Sequence, residues 1–301
     1  MSRPIIDTHQ HQWDSSLFKL PWLEGAGPPL GNDHLMSDYL AATESLNIAR
    51  TIYMEVDMSA DQRQAEADYV IGFCERDDNP MAAAVIAGDP SSSGFEEYIR
   101  QFENSPYIKG VRLVLHVPEA GRGTCLGDAF VNGVQLLGRL GLSYDICLRP
   151  GENEDGVQLV DRCPDTQFIL DHCGNADPNV VSGVVTPTAD ELRDTAMHSA
   201  DQWKRDMEAY ARRDNVICKI SGIVARAPKG WSPEDLAPTV NHCLDSFGSD
   251  RVIFASDWPV CTLAAQLADW VGALEEIVAT RSERDQQKLF HDNAVRIYGL
   301  N

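Results

Sequence analysis

Eight short apolar runs alternate with helix-like stretches along the 301 residues, and that alternation constrains the fold more than any other feature. The runs lie at 4–9, 50–56, 81–87, 108–115, 142–148, 167–172, 215–221 and 251–257. Each is almost continuously hydrophobic, as strands buried on both faces of a parallel sheet are. Helical patterns fill 61–77, 94–103, 127–140, 190–213, 233–247 and 262–281. Strand and helix alternating eight times predict an α/β protein, a single (β/α)8 barrel spanning 1–301. A doubly wound open sheet is the rival, but the first strand runs into Asp7-Thr8-His9 where a G-x-G-x-x-G turn would stand. At the far end, Leu289, Phe290, Ala294, Ile297 and Tyr298 share one helical stripe before Gly299, which suits a helix closing the barrel.

A barrel of this kind collects its chemistry at the carboxyl ends of its strands. Three of the runs end there in metal- or proton-handling residues: His9 and His11, then His172, then Asp257. Alternation along a strand points His9 and His11 the same way. Pro259 cannot continue a central strand, so the eighth run must stop at Asp257. Imidazoles on one face can hold a divalent metal or donate to a substrate carbonyl, although backbone carbonyls can also claim them. Asp257 could ligate a metal, serve as general base on a water, or merely cap a helix. Arg112, Arg149 and Lys219 sit near strand ends in an otherwise acidic chain and are expected to contact substrate. The structural alternative pairs them with Asp145, Asp171 and Asp7 below the site. Trp13 and Trp22 lie in a long segment, 12–38, that leaves the same end and reads as an ordered lid. They and Trp258 could stack on a substrate ring or simply pack. A second long segment, 173–189, follows the sixth run.

Composition narrows the partners. A formal net charge of −21 repels nucleic-acid backbones and anionic membranes, so neither is expected as a partner. No stretch approaches the roughly 18 apolar residues of a membrane span. Met1-Ser2-Arg3-Pro4 runs straight into a strand and leaves no room for a signal peptide. The eight cysteines (74, 125, 147, 163, 173, 218, 243 and 261) include no C-x-x-C pair and read as reduced, mostly buried thiols. A cytoplasmic enzyme acting on a small molecule is the expectation, with homo-oligomerisation left open.

Six motifs in order then carry a resemblance over essentially the whole chain. They are Ile6-Asp-Thr-His-Gln-His-Gln-Trp-Asp14, Lys109-Gly-Val-Arg112, Leu170-Asp-His-Cys-Gly174, Cys218-Lys-Ile-Ser-Gly222, Phe254-Ala-Ser-Asp-Trp-Pro-Val260 and Asn293-Ala-Val-Arg-Ile-Tyr298. In these the chain resembles the amidohydrolase superfamily, in the amidohydrolase 2 branch that includes sugar-lactone, muconolactone and pyrone-dicarboxylate lactonases. The resemblance implies a hydrolase that opens a lactone ring, Asp257 activating water and His9, His11 and His172 polarising the carbonyl. The chain departs from metal-dependent members of the superfamily, which place a histidine or modified lysine on the fourth or fifth strand. Here the fifth run, Ser143-Tyr-Asp-Ile-Cys-Leu-Arg149, has no histidine, and His116 lies just past the fourth. Two expectations therefore stand together: no cofactor, or one divalent cation, zinc, on His9, His11 and Glu55 or on those histidines with Asp257 and His172. The alternatives are a metal-dependent non-oxidative decarboxylase of the same superfamily and a catalytically silent binding barrel.

Overall fold

The computed structural model describes residues 3–300, so Met1 and Ser2 of the chain start considered above lie outside the described residues. Eight parallel strands form one sheet in sequential order. They are β1 (Ile5–Gln10), β2 (Ile48–Met54), β3 (Met81–Ala87), β4 (Ile108–Arg112), β5 (Ser143–Ile146), β6 (Phe168–Leu170), β7 (Val216–Ile220) and β8 (Val252–Phe254). The sheet curls until β8 meets β1. Thr8 donates its hydroxyl to the Phe254 carbonyl at 2.7 Å. Just above, Asp257 N–H donates to the His9 carbonyl (2.9 Å) and His11 N–H to the Trp258 carbonyl (2.8 Å). This is a closed (β/α)8 barrel.

Two apolar layers hold it. Ile6, Ile52, Val85, Ile169, Ile217 and Ile253 fill the barrel interior, where Ala294, Tyr298 and Leu300 also pack. They come from the beginnings and middles of their strands, so they plug the end opposite the carboxyl termini. The outer layer joins the other strand faces to the surrounding helices, with Phe130, Trp203, Leu236, Phe254 and Trp270 fully buried in it.

β6 and β8 stop short of the carboxyl ends of their apolar runs, and the reason is local. His172 (φ 52°) and Asp257 (φ 57°) adopt the left-handed conformation, which no strand can include, so β6 and β8 stop before them. The helix expected over 190–213 begins only at Ala200, where Ser199 caps it by accepting from Gln202 N–H; a loop and one 3-10 turn, Glu191–Arg193, precede it. The helix Pro233–Phe247 keeps its expected bounds, because Ser232 and Asp235 close its first turn and proline takes the first helical position. All eight cysteines are free thiols, seven of them buried. Among the described residues no helix is long and apolar enough to cross a membrane.

Candidate active site

Closure of the barrel builds the site. Because Asp257 N–H pairs with the His9 carbonyl, the carboxylate beyond β8 is carried over the two histidines of β1. His9 Nε2 lies 3.0 Å from His11 Nε2. Asp257 Oδ1 stands 3.6 Å from the first and 3.4 Å from the second. His172 Nε2 is 4.0 Å from the same oxygen. His172 owes its place to Gly222: a Cβ there would come within 2.5 Å of the imidazole. Its Nδ1 meets Ser221 Oγ at 2.9 Å.

A hydrogen bond sets the tautomer of the His11 ring. Its Nδ1 is 2.9 Å from the Met54 carbonyl, which can only accept, so Nδ1 carries the proton and Nε2 presents a lone pair. Burial pushes His9 well below its ordinary 6.5, so it is neutral near pH 7. Its Nδ1 faces Lys219 Nζ at 3.3 Å, a group that can only donate there. Burial alone would raise the Asp257 carboxyl, but His172, His11 and His9 around it outweigh burial and hold it below the ordinary carboxylate range. With Nδ1 accepting, the ring proton of His9 sits on Nε2 facing His11 Nε2, and once a cation displaces it three lone-pair donors stand 3.0–3.6 Å apart. Ligand atoms at about 2.0–2.1 Å around a tetrahedral zinc stand about 3.3 Å from one another. The donor set His9, His11 and Asp257 therefore fits one divalent cation.

Beneath this group the barrel is filled with charge. Lys219, fully buried, donates to Asp145 and to Asp171, both at 2.8 Å. Arg112 donates Nε–H to Glu55 Oε1 (2.6 Å), Nη2–H to the Glu55 carbonyl (2.7 Å) and Nη1–H to Asp171 (3.2 Å). Above it opens a pocket of about 410 Å³. Among the described residues, five non-glycine residues have positive φ: Asp57, His172, Cys173, Asn175 and Asp257. Four of them line this pocket and the fifth adjoins it, the clustering of backbone strain that functional sites show.

Of the residues expected at the site, the structure brings His9, His11, His172 and Asp257 together, and His11, His172, Asp257, Arg112, Trp13 and Trp22 line the pocket. Three others are corrected. Lys219 is sealed inside the barrel on its two aspartates and reaches no substrate, the structural alternative raised above. Arg149 spends its guanidinium on Glu152 and on the carbonyls of Val117 and Ala120, so it shapes the segment after β4 instead of facing the pocket. Glu55 is no metal ligand: one oxygen is held by Arg112 and the other by Asp57 N–H, away from the histidines. Sequence reasoning missed Asp57, Asn175 and Arg226, which line the pocket from the segments beyond β2, β6 and β7. For Asp57 a signal existed, since it follows the end of β2. For Arg226 none did, because its place depends on how the segment after β7 folds.

The 12–38 segment is pinned as a lid. Trp13 and His34 pair through both backbone groups, at 2.9 and 3.0 Å. Trp13 donates Nε1–H to the Asn32 carbonyl and Trp22 to that of Val56.

Over residues 6–300 the chain matches the model of the family described as Amidohydrolase. It is a member of that family. This amidohydrolase is 28% identical to an L-fucono-1,5-lactonase of Burkholderia multivorans, over 98% of this chain and 96% of that protein. It is 24% identical to an L-rhamnono-gamma-lactonase of Scheffersomyces stipitis, over 98% of each. A solved amidohydrolase from Burkholderia multivorans superposes with a TM-score of 0.82 in a form with HEPES bound and 0.80 in a form with zinc bound. Both forms share 24% identity and cover 99% of each chain.

One buried group gives the amidohydrolase a pH-dependent stability. Glu66 Oε1 accepts from Tyr53 and from Val56 N–H under the pocket wall, while Oε2 has no partner. Burial, with Glu55 close by, pushes its carboxyl from 4.5 up to about 8. The folded state therefore holds this proton more tightly than the unfolded one. Its contribution is complete below about pH 4.5 and is lost as pH rises toward about 8. Glu66→Gln should gain on the native protein by on the order of 5 °C in Tm between pH 5 and pH 8, measured by calorimetry. A constant Tm difference across that range would contradict it.

Proposed function

We propose that this amidohydrolase hydrolyses a lactone, the cyclic ester of a small sugar-acid or aromatic-catabolic substrate. The observation that carries the reading is the convergence of His9, His11, His172 and Asp257 on the floor of one pocket. Asp257, ionised at neutral pH and held among imidazoles, accepts a proton from the attacking water. His172, steadied by Ser221, faces Asp257 from the other side and donates to the carbonyl oxygen as negative charge develops there. The proton held by Asp257 then passes to the ring oxygen as the C–O bond breaks, leaving a hydroxy acid. A divalent cation bound by His9, His11 and Asp257 would supply Lewis-acid polarisation of the carbonyl and a lowered pKa for water. Lys219 does not touch substrate in this scheme; it holds Asp171 and His9 in place from below, while Arg112 braces Asp171 from the pocket floor. The lactonases among the relatives, at 28% and 24% identity, and the zinc-bound form of the solved neighbour support the reading.

A pH-indicator assay against aldonolactones and aromatic-catabolic lactones tests it, run before and after exhaustive chelation. Acid release is expected from at least one lactone class. Chelation should lower the rate by at least about tenfold, with recovery on adding zinc, since ligand-shell losses commonly cost this much. Full activity after chelation would remove the cation from the scheme and leave Asp257 and His172. No turnover of any lactone would overturn the reading.

A further inference from the structure

The strand order splits the pocket wall into two arcs of different chemistry. β8, β1 and β2 are consecutive around the closed barrel, and the segments leaving them contribute Val260, Leu263, Trp13, Trp22, Leu30 and Val56. Both indoles on this arc have already donated their N–H groups, Trp13 to Asn32 and Trp22 to Val56. Above the floor residues His11 and Asp257, Asp57 is the single polar side chain the arc adds. The polar groups stand across the barrel, on segments after β4, β6 and β7: His116, Asn175 and Arg226. Even there Asn175 Nδ2 is committed to the Leu148 carbonyl, and Arg226 donates one N–H to the Asn175 carbonyl.

A polyhydroxylated ring needs donors and acceptors on every side, because each hydroxyl pressed unpaired against an apolar wall forfeits its hydrogen bonds to water. This pocket offers them mainly on one side, with Asp57 alone on the wall of the other. A second observation points the same way. Trp22 and Leu263 remain 39% and 51% exposed at the pocket, although both are large and apolar. A ligand with an apolar surface would cover both, whereas a polyol could cover the Trp22 face but would set hydroxyls against Leu263.

Building on the lactonase reading, we infer that the substrate is a lactone carrying an apolar substituent, an alkyl chain or a fused aromatic ring, seated against the β8–β1–β2 arc. A sugar lactone decorated with hydroxyls all round is disfavoured. In this respect the chain departs from the sugar lactonases it is similar to.

Matched substrates test the inference: an alkyl-substituted δ-lactone and dihydrocoumarin against an aldono-1,5-lactone of the same ring size. The apolar lactones should be favoured in kcat/KM by at least about 100-fold, about tenfold or more for each hydroxyl left unpaired. Leu263→Gln, at a half-exposed position, should lower kcat/KM for the alkyl lactone about 5- to 20-fold more than for the aldonolactone. A preference for the aldonolactone, or equal loss on both substrates, would overturn the inference and leave the lactonase reading standing. If no lactone turns over, the lactonase reading fails and the pocket is read by binding instead. Quenching of tryptophan fluorescence by an alkyl δ-lactam at least about tenfold more tightly than by the corresponding sugar lactam would support the apolar arc. Equal or reversed affinities would overturn it.

Discussion

Asp257→Asn should lower kcat for lactone hydrolysis by about 10²- to 10⁴-fold, the range a general base supplies, with a smaller change in KM. The asparagine keeps the size of the side chain and its reach toward His11 and His172, but it has no basic oxygen to take the proton from water. Its amide would also place a donor where a cation held by His9 and His11 needs a lone pair. The backbone bond from residue 257 to the His9 carbonyl is untouched, so the barrel seam should persist, and circular dichroism should show native helix content. His172→Asn should lose less, because it removes a donor to the carbonyl and leaves the base in place. Since His172, His11 and His9 hold Asp257 below the ordinary carboxylate range, its own titration should leave kcat level across the whole neutral region. A folded Asp257→Asn protein with near-native turnover would sink the mechanism.

Lys219→Met should cost about 3–5 kcal/mol of stability, the penalty for stranding buried charge. Burial alone would lower the lysine, yet Asp145 and Asp171 outweigh it and hold the ammonium charged. Asp171 is correspondingly held below its ordinary range against the same burial, while burial leaves Asp145 pushed up to about 6. Methionine fills similar space but strips Asp145 of its cation and leaves Asp171 with Arg112 alone, in a barrel interior closed to water. At roughly 2–4 °C per kcal/mol, Tm should fall by about 6–20 °C in differential scanning calorimetry. Adding Asp145→Asn should restore part of the loss, because a neutral amide is cheaper to bury than an orphaned carboxylate. A lysine that served only to bind substrate would give the opposite pattern, a raised KM with unchanged Tm.

These two residues show where a linear reading stops. Asp257 and Lys219 both stand at the ends of apolar runs in an acidic chain, and pattern alone treats them alike. Their difference lies in depth. Asp257 leaves the ladder in a left-handed turn after β8 and rises to the pocket floor, whereas Lys219 remains within β7 and points into the barrel. Glu55 and Arg149 divide in the same way, each drawn aside by a partner far off in the chain or by loop carbonyls.

The sequence by itself determined the eightfold alternation, the strand order it implies, the shared face of His9 and His11, and the arrival of His172 and Asp257 at the same end. Period-2 and period-3.6 patterns and strand-breaking residues are local quantities, so they survive without the fold. The tertiary structure alone decided which cations face substrate, which carboxylates neutralise them, and how the pocket wall divides into apolar and polar arcs. Those outcomes depend on distances between residues as much as 210 positions apart, as His9 and Lys219 are. Burial then sets the charge state of each group, and burial belongs to the closed barrel, not to any segment of it.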